Sequence, residues 1–239
     1  MNRYASVPRS CVPDVTMKGI LLDIEGTTTP ISFVYDVLFP FARAHVSEHL
    51  SDEDVRALRM EYDGDLRSGF TLPPWSDPPA DYVHWLMDQD RKSTALKNLQ
   101  GKIWLDGYQR GELHGEVFAD VPPALARWRQ QGIDVRIYSS GSKLAQRLLF
   151  STTKAGDLTA LLNGYFDTTT GPKAEAESYI AIGRAFGCET REILFISDVT
   201  RELDAAREAG MGTALCIRPG NKPQPAGTHP TIRSFEEIL

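Results

Sequence analysis

The sequence predicts an α/β protein: a core of parallel strands flanked by helices, with a separate helical region inserted after the first strand. Apolar, strand-like runs alternate with helical segments from about residue 115 onward. A lone apolar run, Ile20-Leu21-Leu22, stands well before them, and the intervening 33–114 has helical periodicity without a convincing strand. Alternation of this kind produces a parallel sheet with right-handed crossovers. We therefore expect a Rossmann-like sheet and an all-helical cap.

The core is predicted to comprise residues 17–32 and 115–239. After the first strand, strands are expected at Ile133–Tyr138, Ile193–Ile196 and Thr213–Ile217. Helices are expected at Pro122–Gln131, Lys143–Phe150, Ala174–Phe186 and Arg201–Ala209, the third stopped by Gly187 and the last followed by Gly210. The first strand belongs to the same sheet, so residues 33–114 form the inserted cap.

The cap is predicted from capping and periodicity signals. Ser51-Asp-Glu-Asp54 is typical of a helix start, and Asp77-Pro78 could cap another helix with proline at its first position. Leu96, Leu99 and Ile103 repeat at helical spacing. The cap also has aromatic residues that could exclude water from a substrate, although each is more often a core residue: Phe33, Trp75, Tyr82, Trp85, Trp104 and Tyr108.

Composition excludes several classes of protein. The chain has 239 residues, 41% of them hydrophobic, and a net charge of −6, which argues against a surface dominated by nucleic-acid binding. The sequence has no run of about 18 apolar residues, so no membrane-spanning helix is expected. The three cysteines, Cys11, Cys188 and Cys216, form no CxxC pair, so a reducing cytoplasm is expected. Residues 1–16 are expected to be a loose tail without a signal-peptide core.

The first strand ends in an unusual acidic turn. Asp23 and Glu25 follow the apolar run, and side chains two apart in an extended chain point the same way. Two carboxylates 4 Å apart repel by ~4 kcal/mol at an effective dielectric near 20, so the pair requires a cation or a shared proton. Gly26 allows a tight turn, after which backbone N–H and hydroxyl groups of the threonines could face an anion.

Two later strands also end in polar residues. Ser139 and Ser140 follow one strand, and Ser197-Asp198 ends another. Ligands of open parallel sheets bind beyond the carboxyl ends of the strands, so these groups are expected at one edge. Lys173 lies at the start of the helix expected at Ala174–Phe186, where it adds a positive charge that favours an anion.

These residue types together indicate metal-assisted phosphate chemistry. Asp23, Glu25 and Asp198 would bring about three negative charges to one point, and Mg²⁺ is the hard oxygen-seeking cation that fits them. Asp23, at the rigid strand end, is the better candidate to attack phosphorus and form an aspartyl phosphate. Lys173 and Ser139 or Ser140 would bind the phosphate.

Simpler interpretations exist for each residue. Asp23 or Asp198 alone could cap a turn or helix, and Ser142 is expected to cap the next helix. Arg201 and Glu202 are expected to form surface or structural pairs, and Arg218-Pro-Gly-Asn221 a loop near the edge of the site. A receiver domain also combines acids with Ser/Thr and Lys, but its accepting Asp lies on a middle strand and it has no cap. A haloacid dehalogenase is a weaker alternative, because its chemistry needs no metal and therefore neither Glu25 nor Asp198.

The motifs resemble those of the haloacid-dehalogenase-type phosphatases, and within them the enolase-phosphatases of methionine salvage. The resemblance covers about residues 18–218 and includes cap segments. The segments that carry it are Asp23-Ile-Glu-Gly-Thr-Thr-Thr-Pro-Ile-Ser-Phe-Val34, Leu38-Phe-Pro40, Gly101-Lys-Ile-Trp104, Gly111-Glu-Leu113, Asp120-Val-Pro-Pro123, Tyr138-Ser-Ser-Gly-Ser142, Leu148-Leu-Phe150 and Phe195-Ile-Ser-Asp-Val-Thr-Arg-Glu202.

The resemblance implies enolisation and then dephosphorylation of 2,3-diketo-5-methylthiopentyl-1-phosphate, which yields an acireductone. It implies Mg²⁺ at Asp23, Glu25 and Asp198, catalytic roles for Asp23, Glu25 and Lys173, and substrate binding by Ser139, Ser140 and Lys173. Glu25 is typical of enolase-phosphatases, whereas most relatives in the wider superfamily carry Asp there. Tyr35 replaces a lysine that the family often has.

The resemblance further implies a monomer with a small-molecule substrate and with neither nucleic acid nor membrane as partner. The alternative function is another capped Mg²⁺-dependent phosphatase or a phosphomutase that acts on a sugar phosphate.

Overall fold

The structure is a computed structural model that describes residues 17–238. The predicted tail at 1–16 and Cys11 lie outside the described residues. The described chain forms two compact units. The sheet unit contains the residues up to Thr28, Phe118–Ser140 and the residues from Ala160; the helical unit contains Thr29–Val117 and Gly141–Thr159. None of the helices within 17–238 has the length and apolar character needed to cross a membrane.

Strands and helices are numbered in chain order. The strands are β1 (Gly19–Leu22), β2 (Asp134–Tyr138), β3 (Gly164–Phe166), β4 (Ile193–Ser197), β5 (Gly212–Cys216) and β6 (Thr231–Ile232). The α-helices are α1 (Phe39–Ala44), α2 (Val46–His49), α3 (Asp52–Arg67), α4 (Ala80–Asp88), α5 (Thr94–Gln109), α6 (Val121–Gln130), α7 (Lys143–Ser151), α8 (Ala176–Phe186) and α9 (Thr200–Glu208). A π-helix spans Phe33–Leu38, and short 3₁₀ helices span Thr159–Leu161, Thr190–Glu192 and Phe235–Glu237.

The sheet unit confirms the predicted parallel α/β fold. The sheet that the structure describes has strand order β3-β2-β1-β4-β5-β6, and every neighbouring pair is parallel. All four residues of β1 are buried, as expected for a central strand covered on both faces. Leu21, Phe195 and Leu215 from three adjacent strands pack in one core with Tyr179 of α8 and Leu203 of α9.

Two strands of the sheet have no counterpart among the predicted elements. β3 has three residues and β6 has two, and both pair at the outer edges of the sheet. Segments this short carry too few residues to show an alternating or continuous apolar pattern. Pairing with an existing strand, and not local sequence, makes them strands.

The helical unit has its own core, built from α1 to α5. Leu58, Tyr82, Leu99 and Ile103 are buried there. The capping prediction at Ser51 is confirmed, because its hydroxyl accepts from the Asp54 N–H while the Asp54 carboxylate accepts from the Ser51 N–H. The start predicted at Asp77-Pro78 is wrong by about two residues, since α4 begins at Ala80.

The predicted cap aromatics divide by burial. Phe33, Tyr82 and Tyr108 are buried, while Trp75, Trp85 and Trp104 are half-buried. The Tyr82 ring contacts those of Trp75 and Trp85, with centroids 6.2 Å and 5.9 Å away. Most of this aromatic surface therefore packs within the helical unit. This unit also contains α7, whereas the predicted cap boundaries of 33–114 assign that helix to the core.

Candidate active site

The site is built around Asp23, which directly follows β1. The parallel register pairs Leu22 with Ile196, and the Asp23 N–H donates to the Ile196 carbonyl over 3.0 Å. This pairing places Asp23 beside Ser197 at the end of β4. The Ser197 hydroxyl lies 3.3 Å from Asp23 Oδ2. The adjacency of β1 and β4 thus brings together residues that are 174 positions apart.

Lys173 pairs with two carboxylates in this site. Its Nζ lies 2.6 Å from Asp23 Oδ1 and 2.6 Å from Glu202 Oε2, and all three side chains are largely buried. Nζ also lies 5.7 Å from the centroid of the Tyr138 ring. Burial alone would lower the pKa of Lys173, but the charges of Asp23 and Glu202 outweigh it and raise the pKa above its usual range. Lys173 is therefore a fully charged ammonium.

Glu202 is a member of the site that the sequence analysis did not identify. It lies in the first turn of α9, where it was expected to form a surface or structural pair. In the structure its carboxylate accepts from Lys173 and from the Ser197 hydroxyl, the latter over 3.0 Å. Burial, and then the charge of Asp23, raise the pKa of Glu202 to about 7 despite the opposing effect of Lys173. Glu202 lies four residues after Asp198 in the sequence, but this spacing does not reveal the pairing with Lys173.

Asp198 lies against the loop that follows Asp23. Gly26 has φ +69°, and a Cβ built there would lie 2.4 Å from Asp198 Oδ2, so the close approach requires glycine. Burial, and then the charge of Asp23, raise the pKa of Asp198 to about 7; Lys173 opposes this shift and Glu25 adds to it. The charges of Asp23 and Glu25 therefore both act on the carboxylate of Asp198.

Ser139 and Ser140 follow β2, the neighbour of β1 on its other side. The Ser139 N–H donates to the Phe166 carbonyl over 3.2 Å, so the residue continues the pairing with β3. Ser139 is buried and Ser140 is exposed. Both lie at the same edge of the sheet as Asp23. The prediction for Ser142 is confirmed, because its hydroxyl accepts from the Ala145 N–H at the start of α7.

One part of the predicted anion cradle is wrong. The N–H groups of Thr27 and Thr28 both donate to the Ile24 carbonyl, over 3.1 Å and 3.0 Å. The Thr28 hydroxyl points back to the carbonyls of Asp23 and Ile24. These groups stabilise the turn itself and are not directed at a phosphate. The N–H groups of Thr27 and Thr28 are therefore consumed within the turn, which sequence alone does not reveal.

The carboxylates suit a magnesium ion in their chemistry. Burial, and then repulsion by Asp23 and Glu25, raise the pKa of Asp198, and a hard cation at this point would relieve the repulsion. Across residues 17–238, no three His, Cys, Asp or Glu side chains form a ready metal-binding group. Mg²⁺ commonly binds through one or two carboxylates and keeps waters or substrate phosphate as its other ligands. The residues present therefore fit the ion, and the exact ligand set stays a prediction.

Comparison with known proteins supports the same assignment. Residues 17–210 match the haloacid dehalogenase-like hydrolases. The chain is 49% identical to "Enolase-phosphatase E1" of Synechococcus elongatus over 94% of this chain and 98% of that protein. It is 45% identical to "Enolase-phosphatase E1" of Pseudomonas aeruginosa over 94% of this chain and 99% of that one.

A solved structure shares the fold at lower identity. The UTR4 protein of Saccharomyces cerevisiae is 35% identical, with a TM-score of 0.76, over 93% of this chain and 100% of that one. The strand-end acids, the buried lysine, the match to a hydrolase family and the near full-length relatives all agree. The chain belongs to the haloacid dehalogenase-like hydrolases and, within them, to the enolase-phosphatases.

Proposed function

We propose that this protein is a Mg²⁺-dependent enolase-phosphatase of methionine salvage. It converts 2,3-diketo-5-methylthiopentyl-1-phosphate into the acireductone 1,2-dihydroxy-3-keto-5-methylthiopentene and phosphate. The observation that carries the proposal is the Asp23 carboxylate, held between Lys173 and Ser197 at the end of β1. The names of the relatives from Synechococcus and Pseudomonas support the choice of reaction.

Asp23 is the proposed nucleophile in phosphoryl transfer. One oxygen of its carboxylate forms a bond to phosphorus while the bond from phosphorus to the substrate oxygen breaks, and that oxygen takes up a proton. Water then attacks the aspartyl phosphate, which releases phosphate and restores the carboxylate. The backbone pairing of Asp23 with β4 holds the attacking group rigidly, which favours in-line geometry.

Lys173 and the serines after β2 are the proposed phosphate-binding groups. Lys173 carries a full charge, and its ammonium pairs with the carboxylates of both Asp23 and Glu202. Ser139 and Ser140 would donate hydrogen bonds to the phosphate oxygens from the neighbouring strand end. Glu202 is a positioning residue in this scheme, because it acts through Lys173.

Asp23, Glu25 and Asp198 are the residues that would hold Mg²⁺. When bound, the ion supplies positive charge that offsets the phosphate dianion and polarises a substrate carbonyl. Glu25 is the proposed proton acceptor in the enolisation. The proton leaves the carbon next to the carbonyl and a proton is returned to the carbonyl oxygen, so the composition of the substrate does not change.

An anaerobic assay of the diketo phosphate, with and without EDTA, tests the proposal. We expect an ultraviolet-absorbing enediol and phosphate to appear together, only when Mg²⁺ is present. Release of phosphate from sugar phosphates, with no enediol formed from the diketo phosphate, would favour the alternative phosphatase or phosphomutase. A protein that is phosphorylated once and releases phosphate slowly would behave as a receiver domain.

The setting of the protein is part of the proposal. A small phosphorylated diketone is the expected partner, the cytoplasm the expected location and a monomer the expected state, with neither nucleic acid nor membrane involved. Sedimentation at micromolar concentration tests the monomer directly, since a dimer would sediment at twice the mass of 26.6 kDa.

A further inference from the structure

The segment that follows β5 holds the backbone of the loop after Asp23. It is the stretch Arg218-Pro219-Gly220-Asn221, hereafter the 218–221 turn. The Asn221 N–H donates to the Arg218 carbonyl over 3.2 Å, and Gly220 has φ +87°. Proline second and a left-handed glycine third fit a type II β-turn. The first and last residues of this turn, Arg218 and Asn221, both bind the loop after Asp23.

Asn221 binds the carbonyl of Gly26. Its Nδ2 donates to the Gly26 carbonyl over 2.9 Å and to the Cys216 carbonyl over 3.4 Å. These two acceptors determine which end of the amide is nitrogen. The opposite atom, Oδ1, is buried, has no hydrogen-bond partner within residues 17–238, and would lie 2.9 Å from a Cβ at Gly26. The same point is 2.4 Å from Asp198 Oδ2, so Asn221, Gly26 and Asp198 converge.

Arg218 binds the next carbonyl along the same loop. Its Nε donates to the Thr27 carbonyl over 3.1 Å. The guanidinium is almost fully buried and lies between the rings of Phe118 and Phe235, at 4.5 Å and 4.8 Å from their centroids. Nη1 pairs with Asp120 over 2.9 Å. A planar guanidinium held by two rings and a carboxylate has little freedom to move, so it is a rigid support.

The loop is therefore held from both sides. Its N–H groups at Thr27 and Thr28 bond within the turn to Ile24, and its carbonyls at Gly26 and Thr27 bond to the 218–221 turn. Loss of a bond from Arg218 or Asn221 would let the bonds within the turn open more often and allow the loop to shift relative to Asp198. A shift of about 1 Å at a reacting centre can cost about a hundredfold in rate.

We propose that Arg218 and Asn221 are positioning residues for phosphoryl transfer, which they support by fixing the loop between Asp23 and Thr28 against Asp198. This inference rests on the proposed function, because it takes Asp23 as the nucleophile. Neither residue is proposed to touch the substrate. Their effect is transmitted by two consecutive backbone carbonyls.

Asn221→Ala in the full-length protein tests the proposal, with Asn221→Asp as a variant of matched shape that lacks the donor. We expect kcat for phosphate release from the diketo phosphate to fall about tenfold in both, with KM changed less than twofold. We expect amide hydrogen exchange at Thr27 and Thr28 to rise at least fivefold relative to the amide of Leu21 in β1. Leu21 corrects for global unfolding.

Asn163→Ala is the matched control. Asn163 lies in the same unit and its exposed side chain accepts only from Arg129 among the contacts described, at 3.1 Å. It should change neither kcat nor the exchange ratio. Arg218→Lys keeps the charge that faces Asp120 but removes the Nε donor, and we expect the same pattern as for Asn221→Ala together with a lower melting temperature.

Unchanged exchange ratio and unchanged kcat in both Asn221 variants would overturn the proposal, even if their melting temperatures fall. Exchange is measured without substrate. A wild-type protein that releases no phosphate from the diketo phosphate would contradict the proposed function, while the exchange ratios would still decide whether the 218–221 turn holds the loop.

Discussion

The two units differ in how their buried acids are paired with cations. In the helical unit, Asp54 is bound by Lys102 at 2.7 Å and 2.8 Å, and Asp65 is bound by Arg91 at 2.5 Å. Each of these acids has its own cation. In the sheet unit, Asp23 and Glu202 share the ammonium of Lys173, and the carboxylate of Asp198 lies close enough to interact with Asp23 and Lys173.

The pKa shifts follow this difference in pairing. Burial would raise the pKa of Asp54, but its hydrogen bonds with Lys102 and Ser51 outweigh burial and lower it. Burial and neighbouring acids raise the pKa values of Asp198 and Glu202 to about 7. Paired acids stabilise a fold, whereas an excess of acids over cations costs stability and is typical of a functional site. The comparison therefore distinguishes structural carboxylates from those that await a cation or a substrate.

The largest expected effect comes from the nucleophile. Asp23→Asn should reduce phosphate release at least about a thousandfold while circular dichroism stays unchanged, because an amide cannot attack phosphorus as a carboxylate does. Asp54→Asn is the matched control, with the same chemical change in the helical unit and activity expected within about twofold of wild type. Phosphate release by Asp23→Asn above about 10% of wild type would exclude Asp23 as the nucleophile.

The next largest effect concerns the acid that holds Lys173. Glu202→Gln removes one of the two carboxylate charges that pair with the Lys173 ammonium. We expect kcat for phosphate release to fall about thirtyfold. Glu192→Gln is the control, since Glu192 pairs with Lys18 at 2.9 Å at the opposite end of β1. If both variants lose the same activity, the effect is general to ion pairs of this unit and Glu202 has no special role.

The acids of the two units should affect the pH dependence of the free energy of unfolding in opposite directions. An acid whose pKa is raised by folding binds more protons when folded, so the free energy of unfolding decreases as pH rises from about 4 through about 7. In EDTA at pH 8, where solvent screening weakens the repulsion, Asp198→Asn should therefore stabilise the protein by ~1 kcal/mol; this gain should be clearly smaller at pH 5 and vanish below about pH 4.

Asp54→Asn should do the reverse. The pKa of Asp54 is lowered, so its stabilising pair is complete at both pH 5 and pH 8 and is lost only at lower pH. We expect a loss of ~1–2 kcal/mol at both values, because Lys102 is partly exposed. Urea unfolding at the two pH values measures both variants. A destabilised Asp198→Asn at pH 8 would show that the acids of the sheet unit are not in excess.

Magnesium should stabilise the folded protein by binding at the acidic site of the sheet unit. At a concentration ten times its dissociation constant, the ion should add ~1.4 kcal/mol to the free energy of unfolding, which appears as a higher melting temperature at pH 8. Asp198→Asn should remove most of this increase and Asp54→Asn none of it. Equal magnesium responses in the two variants would place the ion elsewhere.

The smallest expected effect is a helix cap in the helical unit. Ser51→Ala removes the hydroxyl that accepts from the Asp54 N–H and should cost ~1 kcal/mol in urea unfolding. Phosphate release should stay within experimental error of wild type. A change in kcat larger than twofold would mean that the polar groups of this unit do more than hold its helices together.

Much of the site could be predicted because strand ends are visible in sequence. Asp23, Ser139 and Asp198 each follow an apolar run, and the carboxyl ends of parallel strands meet at one edge. Lys173 was found by its context near a helix start. Glu202 was missed because its pairing with Lys173 depends on the adjacency of β1 and β4 and on the path of α9, which no local pattern encodes.

The threonine turn shows the same limit. Three consecutive threonines after Gly26 predict polar groups at the site, yet the N–H groups of Thr27 and Thr28 are satisfied within the turn. Sequence shows which donors exist but does not show which acceptor each of them finds. The short strands β3 and β6 were missed for a related reason, since they depend on a neighbouring strand.

The sequence by itself determined the order of strands and helices, the positions where strands end, and the kinds of side chain placed there, because apolar periodicity and terminating residues are local properties. Only the tertiary structure decided which acids share Lys173, which donors the tight turn consumes, and that the 218–221 turn reaches the Gly26 and Thr27 carbonyls. Those contacts join residues up to 195 positions apart. Contacts of this kind are selected by strand register and packing, and these form only when the whole sheet does.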